Sequence, residues 1–360
     1  MHNRAPRNRT IPMLATAGLV LLIALAGGYY AYWRYVAQEL ESGIDRWAAD
    51  QRAHGSEVAF VSDGISGFPF AFKARFHQPD VKLRLSGAVL EWSSGFLAAE
   101  MSPWDLRTVR ISSPAQQVVR LQTQQQTGQW RMIVAAVSGK IRFAGNGGLR
   151  EINAELQLPD ATLPDGLALA ADQAKVRLSL PDVPPIDYSQ PFGTIAAEVS
   201  KLLLPPGTRL LTADPVEQAS VDAVINGPVA VPLDLAASPP LTDILAGWRD
   251  RGGDIEVKSF SFAQGPLSVS GEATLALDGN LQPLGAGTVT ASGLSEAVEI
   301  LLRDGLIPAE RAMVARATAK ALERTGAEGK AEAKFALSLQ NGILSFGPAP
   351  LLQVPPIEWQ

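Results

Sequence analysis

The sequence predicts a mainly β protein with a few helices: an N-terminal transmembrane helix, then an extended or curved antiparallel β-sheet, with two adjacent helices inserted near the C-terminus. Three observations carry that expectation. Ile11 to Trp33, IPMLATAGLVLLIALAGGYYAYW, contains no charge. Short apolar–polar alternations, separated by Gly, Pro, Asn and Asp, recur at roughly ten-residue spacing, the signature of antiparallel sheet. Leu294–Asp304 and Ile307–Thr325 switch to a helical period, and Pro308 and Gly326 stand at start and stop positions.

The apolar run comes first in the chain and decides where the rest resides. At about 1.5 Å per residue it reaches roughly 34 Å, slightly more than a hydrocarbon core of roughly 30 Å. Arg4, Arg7 and Arg9 precede it without an acid, whereas Arg34 is followed by Glu39, Glu41, Asp45 and Asp50; Arg46 and Arg52 also follow, so the bias in basic residues alone is slight. A short basic tail ahead of an apolar run puts residues 1–10 in the cytoplasm, 11–33 across the inner membrane as a single pass, and the bulk in the periplasm. Ala24-Leu25-Ala26 also offers a small-x-small cleavage site, so a periplasmic form cut after Ala26 is the competing reading. Against it, Tyr29, Tyr30, Tyr32 and Trp33 extend the run with an aromatic cluster suited to a membrane interface.

Composition excludes several functions. A formal net charge of −5, with 46% hydrophobic and 19% charged residues, suits neither disorder nor a basic nucleic-acid face. The chain has no cysteine, which removes disulfides, thiolate metal sites and cysteine nucleophiles together. Only His2, His54 and His77 are available for zinc or triad chemistry. Gly285-Ala286-Gly287 lacks a third glycine and enters a strand rather than opening a helix, so it makes no dinucleotide fingerprint. The expectation is a non-catalytic protein with no cofactor and no metal.

Beyond the anchor, Leu40, Ile44, Trp47 and Ala48 line one face of a membrane-proximal helix over 34–54, ended by Gly55. Residues 55–204 form an N-terminal β-rich region. Within it Phe68, Phe70, Phe72 and Phe76 alternate with Pro69, Ala71, Lys73, Arg75 and His77; a period of two puts the rings on one strand face and the cations on the other. That ring face is the candidate site for a hydrophobic ligand, with a covered core strand as the plain alternative. Residues 205–253 connect, through Pro205-Pro206-Gly207, a strand near Ser220–Asn226 and a short helix over Leu241–Arg251. Residues 254–360 are again β-rich around the two helices, and Asn341-Gly342 marks a hairpin. The helix from Ile307 is rich in alanine. Its Ala317 and Ala321 are the candidate partner surface, intrachain packing being the alternative.

The anchor, Gly67-Phe68-Pro69-Phe70-Ala71-Phe72, Ser102-Pro103-Trp104-Asp105-Leu106-Arg107, and the tail Asn341 to Leu351 ending in Pro355-Pro356 together resemble the DUF2125 family. The resemblance covers most of the chain and implies a membrane-anchored or secreted bacterial protein without an assigned function. Relatives often carry arginine where Ala71 stands, so no charged role is carried over to that position. A more distant similarity, of architecture only, is to AsmA-like envelope proteins with lipid-lined grooves. The expected partners are the membrane, a lipid, and another envelope protein, with no nucleic acid. Three functions follow in order: a lipid or hydrophobic-ligand binder, a scaffold of an envelope complex, and an unrecognised hydrolase.

Overall fold

Period-two segments dominate the chain, and all of them join one sheet. The computed structural model describes residues 10–85, 88–123, 128–163, 166–183, 185–187, 190–204, 215–229, 240–325, 331–346, 349–357 and 359. Most of the basic tail, the Pro205-Pro206-Gly207 break and residues 230–239 lie outside them. Helix α1 (Thr10–Ala53) is followed by β1 (Glu57–Ser66), β2 (Phe72–Leu85), β3 (Ala88–Ser94), β4 (Phe96–Ser102), β5 (Asp105–Ser113) and β6 (Gln117–Thr123). Next come β7 (Trp130–Val134), β8 (Ala136–Phe143), β9 (Leu149–Gln157), β10 (Asp160–Thr162), β11 (Ala168–Ala170), β12 (Gln173–Ser179), β13 (Pro191–Leu202) and β14 (Val216–Asn226). The chain closes with α2 (Leu241–Asp250), β15 (Asp254–Gln264), β16 (Leu267–Leu277), β17 (Pro283–Ser292), α3 (Leu294–Arg303), α4 (Ala309–Leu322), β18 (Glu323–Thr325), β19 (Ala331–Gln340), β20 (Ile343–Phe346) and β21 (Ala349–Gln353).

Every pairing is antiparallel, and the pairings make two arms that share β2. Its first half pairs with β4 and leads through β5, β8, β9, β12, β13, β14, β15, β16 and β17 to β19. Its second half pairs with β3 and leads through β6, β7 and β10 to β11. The chain crosses between arms at Gly95, at 114–116, at Ala135, at Leu158-Pro159 and at Ala171-Asp172, so the breaks lie side by side as a crease. Backbone bonds stitch it: Gln78 N–H to Gly95 O at 3.1 Å, Ala135 N–H to Gln157 O at 3.0 Å, and Leu158 N–H to Asp172 O at 2.8 Å. Gln78 and Leu158 have φ of 46° and 47°, the geometry of bulges that add a residue and reverse the alternation. The reversal is needed. Phe72, Ala74 and Phe76 share the apolar face before the crease, and Val81 and Leu83 continue it afterwards.

Among the described residues, α1, α3 and α4 lie at the margins of this sheet. On α1, Trp33, Ala37, Leu40 and Ala48 form one face, which packs on Phe72, Ile65 and Met101 at one end and on Val58 and Val81 at the other. Residues 34–54 therefore continue the apolar segment as one uninterrupted helix, with Trp47 turned outward. At the far margin, Ala297 and Val298 of α3 and Ala312 and Ala319 of α4 are buried, as are Val289, Ala291 and Ala333 of the sheet. The final three residues expected in the alanine-rich helix form β18 instead, because Glu323 to Thr325 pair with Ala331 to Ala333.

A compact monomer of this mass exposes about 14,000 Å². This chain exposes 22460 Å². The exposed apolar stretch of α1 contributes to the excess, with Leu19 to Ile23 each 59% to 65% exposed.

Candidate functional site

The site grows from the helix belt outward. Among the described residues, one helix is long and apolar enough to cross a membrane, and just 6% of its apolar window is buried against the rest of the chain. At the end of that apolar stretch, Trp33 stacks on Phe72 with ring centroids 5.2 Å apart, and its indole N–H donates to Ala71 O at 3.1 Å. The Tyr29 hydroxyl donates to Pro69 O, and the Tyr32 hydroxyl donates to Pro103 O at 3.1 Å. Two turns, Gly67–Ala71 and Ser102–Asp105, are thus hydrogen-bonded to a single helical level.

The phenylalanine alternation does not lie on one strand. Pro69 cannot donate to a ladder, and the amides of Phe70 and Ala71 bond back to Gly67 O at 3.2 and 3.0 Å, closing a turn. A Cβ at Gly67, whose φ is +102°, would meet Ala71 O at 2.8 Å, so glycine is required there. The strand starts only at Phe72. Phe72 is 2% exposed beneath Trp33, Phe76 meets Phe60 edge-on at 5.3 Å, and Phe68 meets Trp33 and Tyr30 edge-on. Phe70 points away, 73% exposed. Trp104, in the second turn, is 71% exposed, and sequence reasoning missed it; the signal was Pro103-Trp104-Asp105, a large aromatic in a turn. Asp105 accepts from the Arg107 N–H at 3.2 Å. The Thr108 hydroxyl, and then that N–H, hold its carboxyl below the usual carboxylate range.

From Phe72 the apolar face runs across the sheet in register. One row joins Phe72, Met101, Val109, Ile141, Ile152, Leu178, Ile195, Ala223 and Val257. Beside it run Ala74, Ala99, Ile111, Gly139, Ala154, Val176, Ala197 and Val221. In both rows every residue between β4 and β13 stays partly exposed. At the crease a polar cluster interrupts the face. Gln117, 4% exposed, gives its amide N–H groups to the Ser94 and Ser113 hydroxyls, each at 2.6 Å, and accepts from the Trp92 indole at 3.1 Å.

The opposite face is charged. Lys73–Glu100 at 3.2 Å and Lys175–Glu198 at 3.9 Å are cross-strand pairs, and Arg177 donates to Asn153 at 2.9 Å. A concavity of about 970 Å³ is lined by these residues and by the small-residue row between them, but by none of Phe72, Val109, Ile141 or Leu178. It therefore opens on the charged face. Among the described residues, no three His, Asp or Glu side chains converge as a metal site.

The other candidate surface lies at the far margin. Ala317 and Ala321 are exposed on α4, beside Met313 and Val314 at 72% and 67% exposure, while Ala312 and Ala319 face inward.

These features define a class: a long antiparallel sheet with one apolar and one charged face, led by an apolar helix of membrane-spanning length. A family model described as an uncharacterized protein conserved in bacteria, DUF2125, matches residues 33–355, and the chain belongs to that family. No curated protein and no solved structure matches it, so the AsmA-like similarity rests on no match.

Proposed function

We propose that this is a non-catalytic protein, anchored by α1 in the bacterial inner membrane with its sheet in the periplasm, that holds lipid acyl chains or another hydrophobic ligand on the apolar sheet face. The orientation rests on the layout, a short basic tail ahead of an apolar run near the N-terminus. One observation carries the ligand: aliphatic rows that stay partly exposed over the strands from β4 to β13, although Phe72, where the first row starts, is covered by α1. Monomeric proteins rarely expose contiguous apolar surface on that scale without a partner for it.

The test is a photo-crosslinker placed on each face of the full chain in native membranes. At Ile152 and Leu178 the expected products are lipid adducts, with none at Arg177. Equal labelling of both faces, or no adduct on either, removes the ligand reading, and so does gently extracted protein that carries no lipid by mass spectrometry.

A scaffold role is the second reading, favoured by the uncovered Met313, Val314, Ala317 and Ala321 on α4. Ala317→Glu is expected to leave stability within about 0.5 kcal/mol, as exposed substitutions usually do. It should abolish co-purification of a stoichiometric partner. An unchanged pulldown ends that reading.

A further inference from the structure

The two turns held by α1 expose large aromatics at the level where the apolar helix ends. Phe70 and Trp104 are 73% and 71% exposed, although each turn is fixed to the helix through its own backbone carbonyls. Phe68-Pro69-Phe70-Ala71 and Pro103-Trp104 carry no charge. The donors that hold them, Tyr29, Tyr32 and Trp33, close the uncharged run, and Arg34 is the first charge after it. A helix spanning the bilayer puts such a belt at the headgroup level, where aromatic side chains with one apolar and one wet end are most favourable. The turns are bonded directly to that belt, so they share its depth.

We propose that Phe70 and Trp104 insert into the interface of the membrane that α1 spans, giving the sheet a second, side-by-side seat on the bilayer. This rests on the anchored reading of α1 but not on the ligand. It fixes how the sheet meets the lipid. Phe72 follows the first turn directly and Met101 precedes the second, so the apolar row that starts with them leaves the membrane surface at this seat. Acyl chains would reach the sheet face there.

The absence of cysteine makes a direct test available. Single-cysteine variants Phe70→Cys, Trp104→Cys, Leu22→Cys and Ser259→Cys of the full chain carry a nitroxide in lipid nanodiscs. Collision with oxygen, which partitions into lipid, is compared with collision with a water-soluble nickel chelate. The expected result is that labels at 70 and 104 favour oxygen, as Leu22 does, while Ser259 favours nickel. Labels at 70 and 104 that follow Ser259 while Leu22 stays in lipid overturn the seat and leave the anchor standing. Labels at 70 and 104 shielded from both reagents mean a protein covers the turns, and this also overturns the seat. An aqueous Leu22 overturns seat and anchor together. As a check without labels, brominated-acyl lipids should quench a share of the tryptophan emission that disappears in Trp104→Phe. Undiminished quenching in that variant would contradict the first result.

Discussion

The margins of the sheet and its middle are built from the same residue types, yet they end in different environments. Under α1 and α3, Phe72, Val81, Val289 and Ala291 are buried. Between β4 and β13, Ile111, Ile141, Ile152 and Leu178 occupy equivalent positions in the ladder and stay partly exposed. The alternating pattern is identical, so the pattern alone does not decide burial. One difference is the helix packed on the face at the margins. Among the described residues, the helix-covered margins hold buried apolar side chains, whereas the two rows stay partly exposed from β4 to β13, so stability is expected to concentrate at the margins.

Truncation should expose that contrast. Trp33→Ala removes a buried ring stacked on Phe72 and the donor to Ala71 O, a loss of roughly 3–5 kcal/mol. Ile152→Ala removes a partly exposed side chain and should cost about 1 kcal/mol, because the transfer term is incomplete and solvent already reaches the site. Denaturant unfolding of both variants in the same detergent checks the ratio. Equal losses would mean that the middle of the sheet is covered. Added lipid should then widen the difference between Ile152→Ala and the parent, since only the parent keeps the full ligand contact.

The crease is where the two arms depend on each other. In Gln117→Leu the Ser94 and Ser113 hydroxyls and the Trp92 indole lose a buried partner, at about 1–3 kcal/mol. Hydrogen exchange should show the loss on both sides of the crease, in β3 and β6 as well as β4 and β5. Loss confined to β6 would mean that the arms are independent.

The β-rich class, the apolar N-terminal helix and the late pair of helices were legible because periods of two and 3.6, and an uncharged run, leave different marks in the sequence, whereas the continuity of 11–33 with 34–54 was not. The phenylalanine stripe was legible as a pattern and misplaced as a structure. Four rings at 68, 70, 72 and 76 satisfy the alternation, but Pro69 and Gly67 make the first two part of a turn, and local turn chemistry outranks periodicity there. The division of β7 from β8 at Ala135 left no local signal for a different reason: the crease is a tertiary feature, set by breaks in neighbouring strands that lie far apart in sequence. Trp104 stayed hidden because its importance comes from the bond between its neighbour Pro103 and Tyr32, seventy-one residues apart in the chain.

The smallest effect concerns the turn that carries Trp104. Asp105 has its pKa lowered by the Thr108 hydroxyl and the Arg107 N–H, so in the folded chain it stays ionised at lower pH than in the unfolded one. A lowered carboxyl pKa adds stability above the unfolded value, about 4, and that contribution is lost as pH falls through the folded value. The carboxylate is exposed to solvent, so the loss is local. Hydrogen exchange of the 102–108 segment, corrected for intrinsic rates, should therefore lose protection as pH falls below about 4, with β16 unchanged over the same range. Asp105→Asn should lack the step, because the amide oxygen still accepts from Arg107 but does not titrate in that range. A step of equal size in Asp105→Asn would assign it to another carboxylate and detach the Trp104 turn from proton control.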